Sequence, residues 1–212
     1  MSYINLENVS VNLGGITILK QVTASFDKGM IHGIVGRNGS GKSIMFKVIC
    51  GFVRATSGKV SVNGKRIGID EDHPESLGMM INDSGFLRRY SGFRNLCFMA
   101  RIRNTIGTDK IKKAIAQVGL DPDDRRPVAK YSTGMRQRLA IAQAIMEDPE
   151  LLILDEPMNG LDDMGAEDIR KLLLELKSRN KVILLTSHNR EDIETLCDTV
   201  YKMDAGVLTR LK

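Results

Sequence analysis

The 212-residue chain sets 31 Lys+Arg against 26 Asp+Glu, a formal charge of +5, with 42% hydrophobic residues, 5% aromatics and no tryptophan. A chain of this length buries roughly 70% of its extended surface, which supports one sizeable core with a grafted subdomain but leaves little room for two ordinary domains. Apolar runs such as Leu151–Leu154 fall far short of the roughly 20 residues that cross a bilayer, and Met1 leads into a polar, strand-like segment. A soluble chain is therefore expected, any membrane role being exercised through a partner.

In chain order, Ile4 to Val9 alternates apolar and polar residues, and Val22, Ala24 and Phe26 do the same after a Gly14-Gly15 turn, so the start reads as antiparallel strands. Ile31 to Val35 is an apolar strand cut off by Gly36. A helix opens around Gly41 and runs through Ile44, Phe46 and Val48 to a stop at Gly51. Strands follow at Lys59 to Asn63 and around Leu77 to Ile81. From Asp83 to Lys130 the pattern turns helical: Phe93, Leu96 and Cys97 belong to one helix, and Thr108 is positioned to cap a second that carries Ile111, Ala114, Ile115 and Val118 on one face. Beyond Ser132, helices at Met135–Met146, Asp163–Leu176 and Arg190–Cys197 alternate with strands at Leu151–Leu154, Lys181–Thr186 and Thr199–Met203. Strands apolar on both faces are those of a parallel sheet covered by helices, which predicts a three-layer α/β core.

Basic residues are interleaved with acids, so the charge reads as solvated surface and no direct nucleic-acid contact is expected. Cys50, Cys97 and Cys197 are far apart and read as small buried hydrophobes, while His32, His73 and His188 lack metal-ligand spacing.

The chemistry concentrates in four places. Gly36-Arg37-Asn38-Gly39-Ser40-Gly41-Lys42-Ser43 is a complete GxxxxGK[ST] loop between strand and helix, in which glycines let backbone N–H groups turn onto phosphate oxygens, Lys42 reaches the β- and γ-phosphates and Ser43 offers a hydroxyl to Mg2+. Leu151-Leu152-Ile153-Leu154-Asp155-Glu156 delivers two carboxylates at a strand end, Asp155 for Mg2+ through water and Glu156 to polarise an attacking water. His188 follows the next apolar strand on the same edge, where a neutral imidazole hydrogen-bonds a γ-phosphate or orients water. Tyr131-Ser132-Thr133-Gly134-Met135-Arg136-Gln137 opens a helix with Ser132 at its cap; physics alone does not choose between an ordinary N-cap and a ligand-facing helix end.

These segments, in this order, resemble the ATP-binding subunits of ABC transporters over essentially the whole chain. Gly36–Ser43 matches the Walker A loop of that family and Leu151–Glu156 its Walker B strand with the catalytic glutamate. The stretch from Tyr131 to Gln137 is similar to the signature motif, usually Leu-Ser-Gly-Gly-X-X-Gln, with Tyr131 for the leucine and Thr133 for the first glycine. Asn159-Gly160-Leu161-Asp162 resembles the D-loop, and His188 stands at the switch-histidine position. The resemblance implies an α/β fold with the P-loop NTPase three-layer core of ABC ATPase type, N-terminal antiparallel strands and an inserted helical subdomain. Residues 1–82 and 131–212 would form the catalytic core and 83–130 the insertion. It also implies a Mg2+-dependent ATPase that pairs with itself or a homologous subunit, sandwiches two ATP molecules, and drives separate transmembrane permease subunits from the cytoplasmic face of the membrane, export fitting the short chain. Ser132 and Gly134 then serve the nucleotide of the opposite subunit, with Thr133 and Asp162 at the same interface. Phe86, Leu87, Tyr90 and Phe93 are candidates for docking the permease, and equally for the core of the insertion.

Two departures stand out. Leu13 occupies the place of the adenine-stacking aromatic and offers only apolar contact. Asn82 replaces the Q-loop glutamine, and its shorter arm leaves contact with Mg2+ or the attacking water to be bridged by another water. They motivate an alternative, a nucleotide-binding structural or regulatory subunit with little hydrolysis. A soluble ABC-type ATPase outside transport is the other.

Overall fold

The computed structural model describes residues 2–81 and 85–212. Alternating residues of the N-terminal segment build the hairpin β1 (Ser2–Leu13) and β2 (Ile16–Asp27), and β4 (Ser57–Val62) and β5 (Lys65–Arg66) extend it into an antiparallel sheet of order β2-β1-β4-β5. A second sheet collects β3 (Ile31–Val35), β6 (Leu77–Met80), β7 (Leu151–Leu154), β8 (Val182–Thr186), β9 (Thr199–Asp204) and β10 (Val207–Arg210) in the order β10-β9-β3-β8-β7-β6. All its pairings are parallel except β9 with β10.

The apolar strands explain the layers. Leu151 and Ile153 of β7 and Val182 and Leu184 of β8 face one core, made with α1 (Lys42–Ile49) and the inner face of the antiparallel sheet. Leu152, Leu154, Ile183 and Leu185 face the other, built with α2 (Gly92–Arg103), α3 (Thr108–Gln117), α4 (Thr133–Ile145), α5 (Asp163–Ser178) and α6 (Arg190–Leu196). Each of these strand residues is essentially inaccessible to solvent and contributes about 1.5–3 kcal/mol of burial. The three-layer α/β core with N-terminal antiparallel strands is the expected fold class. Among the described residues no helix is long and apolar enough to cross a membrane.

Several details differ from the sequence reading. Gly107, without a side-chain bond, caps α3, and Thr108 lies in its first turn. The hydrophobic face of that helix sets its position, and no cap is required. Helix α4 starts two residues earlier than the apolar pattern suggested, since its first turn projects beyond the core, and β10 is an edge strand with little buried surface to announce it. Cys50 and Cys197 are buried, and burial pushes both thiols up to about 12, so neither forms thiolate readily.

Candidate functional site

The chain leaves β3 at Val35 and turns sharply into the loop before α1. At Gly36, with φ +150°, a Cβ would lie 2.2 Å from the carbonyl oxygen of Met203 in β9, so only glycine lets the loop lean on that strand. The hairpin of β9 and β10 also braces the loop from behind, the N–H of Gly206 donating to the Ser40 carbonyl at 2.9 Å. Lys42 is nearly buried, and its Nζ donates to the carbonyls of Gly36 (2.6 Å) and Arg37 (3.1 Å), which holds the ammonium inside the loop.

The ends of β7 and β8 bring the carboxylates alongside. Ser43 Oγ donates to Asp155 Oδ2 at 2.8 Å, and the fully buried Thr186 donates its hydroxyl to Asp155 Oδ1 at 2.6 Å. The same Thr186 oxygen accepts the Glu156 N–H at 2.9 Å. Glu156 has φ +54°, a conformation costly for a residue with a Cβ, and its carbonyl is pinned from the other side by Gln137 Nε2 at 2.8 Å. One carboxylate oxygen, Oε2, accepts the main-chain N–H of His188 at 3.2 Å. The other, Oε1, is buried without a hydrogen-bond partner among the described residues; His188 Nε2 lies 3.1 Å from it but out of alignment. That nitrogen also lies 3.1 Å from Asn38 Oδ1, to which it donates when it carries the proton.

A cavity of about 600 Å³ opens over these groups, walled by Gly39, Lys42, Ser43, Gln137, Asp155 and Glu156, with Ile18 of β2 on the apolar side. Among the described residues no group of three His, Cys, Asp or Glu side chains is placed to hold a metal ion. The adjacent hydroxyl and carboxylate of Ser43 and Asp155 nevertheless suit Mg2+, which keeps most of its waters and takes one or two protein oxygens beside phosphate.

Ser132 Oγ accepts the Met135 N–H at 3.1 Å and so caps α4. Ser132 and Thr133 are exposed and do not line the cavity; Gly134 packs so tightly on the 159–161 loop that a Cβ there would sit 3.1 Å from the Gly160 carbonyl oxygen. Asp162, also exposed, caps α5 by accepting the Gly165 N–H at 2.9 Å. Gly36 and Arg37 border a neighbouring cleft with His188. Leu13 stands at the exposed tip of the β1–β2 hairpin, away from the cavity wall that Ile18 occupies. Phe86 and Phe93 are half-buried against the helical core, Leu87 is 50% exposed, and Tyr90 packs edge-on to Phe98 with Arg89 and Arg94 over its ring. Asn82 and Asp83 lie outside the described residues.

Sequence reasoning assigned no role to Thr186, Ile18 or the Gln137 tether. For Ile18 the signal was available in the alternation along β2; for the other two it lay only in contacts between distant segments.

A family model described as ABC transporter matches residues 19–159. The chain is 37% identical over 205 residues to an uncharacterised ABC transporter ATP-binding protein of Bacillus subtilis (strain 168), covering 97% of this chain and 94% of that one. It is 36% identical to a bacitracin transport ATP-binding protein of Enterococcus faecalis, over 97% of this chain and 67% of that one. Among solved structures, a dimeric bacterial ABC transporter cassette shares the fold with a TM-score of 0.86 at 21% identity, over 99% of both chains.

Proposed function

Because the chain belongs to the ABC transporter family, as one of its ATP-binding subunits, we propose that it pairs with a second copy or a homologous subunit around two ATP molecules and hydrolyses them to drive transport. The observation that carries this reading is the Glu156 carboxylate: one oxygen is held by a main-chain N–H and the other, beside Lys42, Ser43 and Asp155, has no hydrogen-bond partner among the described residues.

In this reading the N–H groups of the Gly36–Ser43 loop and the α1 N-terminus grip the phosphates. The Lys42 ammonium exchanges its two carbonyl partners for β- and γ-phosphate oxygens. Glu156 Oε1 accepts a proton from the attacking water, while His188, donor-poised beside Asn38, orients that water or the γ-phosphate. Ser43 and Asp155 would hold Mg2+, whose chemistry is to neutralise charge on the transferring phosphoryl group. Ser132 and Gly134, outside their own cavity, supply hydroxyl and amide donors to the ATP of the opposite subunit, with Thr133 and Asp162 at the same contact. Asn82 would contribute through a bridging water. Leu13 reaches adenine only if the hairpin closes over the nucleotide; Ile18 is the apolar contact already in place.

Residues 83–130 form the inserted helical subdomain and 1–82 with 131–212 the catalytic core. The exposed Leu87 and the partly exposed Tyr90 are the better-placed permease contacts, with Phe86 and Phe93 supporting them from beneath. Relatives named for bacitracin and lantibiotic transport support a part in transport, which we read as export, with the subunit lying peripherally on the cytoplasmic face of the membrane. Glu156→Gln is the test. Steady-state ATP hydrolysis should fall at least about 100-fold while ATP still drives pairing; wild-type turnover in this variant would remove Glu156 as general base.

A further inference from the structure

Between β8 and α6 the chain makes a three-residue turn, Ser187-His188-Asn189, and beneath it lies a chain of buried polar groups that the proposed reaction does not touch. Ser187 and Arg170 are 7% exposed and Asp192 only 1%. Ser187 Oγ donates to Asp192 Oδ2 at 2.7 Å and accepts the N–H of Asn189 at 3.0 Å, so one hydroxyl brackets His188 on both sides. Asp192 Oδ1 in turn accepts from Nε of Arg170 in α5 at 2.9 Å, with Nη2 in ion-pair contact at 2.8 Å. The outer face of that guanidinium meets Glu191 at 3.2 Å.

A buried ion pair of this kind roughly breaks even in stability against apolar side chains of the same volume. What it supplies here is a fixed direction. Both carboxylate oxygens of Asp192 are committed, and the Ser187 hydroxyl has one proton, for which Asp192 Oδ2 at 2.7 Å is a much closer acceptor than the Asn189 carbonyl at 3.5 Å, so the turn above is held in a single shape. The group this aims is the main-chain N–H of His188, which points at Glu156 Oε2 from 3.2 Å. The imidazole itself is 54% exposed.

We propose that Arg170, Asp192 and Ser187 form a positioning relay: through the His188 main-chain N–H they hold Glu156 Oε2, which leaves Oε1 as the oxygen that receives the proton of water. The proposal rests on Glu156 being the general base. It separates two functions of His188, since the amide holds the carboxylate whatever the side chain does.

The test compares Ser187→Ala with Ser187→Thr, which keeps the hydroxyl, in MgATP hydrolysis by the subunit assembled with its membrane partner. A carboxylate that wanders misplaces the base without loosening the nucleotide, so Ser187→Ala should lower kcat about tenfold or more and leave KM for ATP within about twofold. Ser187→Thr should restore kcat to within about twofold of wild type. Wild-type kcat in Ser187→Ala, a loss confined to KM, or an equal kcat loss in both variants overturns the relay. Should Ser187→Ala not fold, Asp192→Asn reads the same split, and an unchanged kcat there overturns it equally. Glu156→Gln runs alongside: inactive Glu156→Gln with fully active Ser187→Ala rejects the relay alone, whereas active Glu156→Gln rejects the general-base assignment beneath it.

Discussion

His32 sits in β3 at 1% exposure, with Nδ1 2.7 Å from Thr199 Oγ1 and Nε2 3.0 Å from the Asp27 carbonyl oxygen. The pair of contacts fits a neutral ring that donates from Nε2 to the carbonyl and accepts the threonine hydroxyl at Nδ1. Burial holds its pKa below the ordinary 6.5, outweighing the Asp27 carbonyl contact that favours the charged form. In the unfolded chain the same ring protonates near pH 6.5, so the unfolded state binds the extra proton first as pH falls. Stability should therefore be flat above about pH 7 and decline below about pH 6.5, by at most about 1.4 kcal/mol per pH unit, until the folded pKa is reached. Urea midpoints measured from pH 8 to pH 5 should show this decline in wild type and a shallower one in His32→Gln. The carboxylates act in a lower window. Asp198, whose burial works against it, is still held below the usual range by Lys177 and the Ile31 N–H, and its contribution is lost only as pH falls through and below about 4.

Among the elements, α4 does the most joining. Arg138 projects from its second turn, donates from Nη1 to the Val118 carbonyl at the end of α3 (2.6 Å), and pairs from Nη2 with Asp168 of α5 (3.2 Å). The Arg138 side chain is only 15% exposed, which shelters its bond to the Val118 carbonyl, while Asp168 is half exposed and its ion pair faces water. Arg138→Met keeps the length and loses both, and should cost about 1.5–3 kcal/mol in chemical denaturation. The reach of sequence reading follows the same division between local and distant contacts. The Gly36–Ser43 loop and the Leu151–Glu156 strand are contiguous strings whose chemistry needs no other part of the chain to be recognised. The two-sided apolar strands likewise carried the layer order, because burial on both faces is written residue by residue. Arg138, Gln137, Thr186 and the Ser187–Asp192–Arg170 chain carry no local mark, as each acquires its meaning from a partner 5 to 31 positions away. Thr108 shows the converse: a sound capping residue in a place where the helix is already fixed by packing.

At the scale of the whole molecule, the exposed α4 N-terminus lies outside the cavity that holds Lys42 and Glu156, so the proposed paired assembly is what gives it chemistry. Ser132→Asp isolates that role. Aspartate caps a helix about as well as serine, so thermal stability should stay within about 0.5 kcal/mol of wild type. Its charge would oppose the γ-phosphate brought by the other subunit. ATP binding to the isolated subunit should persist, while ATP-driven dimerisation, read by size-exclusion chromatography in a Glu156→Gln background, should be lost. Dimerisation as strong as in the parent would detach Ser132 from the opposing nucleotide. The same helix has a second appointment. Five residues on from Ser132, about 7.5 Å along a stiff rod, Gln137 grips the carbonyls of Glu156 and Pro157 at 2.8 and 3.0 Å. In the proposed paired assembly, a displacement that begins where one ATP meets the helix cap would reach, through Gln137, the main chain of the glutamate that serves the other. In the proposed pair, each subunit's rod would span both reaction centres, and the two firings would run from one camshaft rather than from two independent triggers.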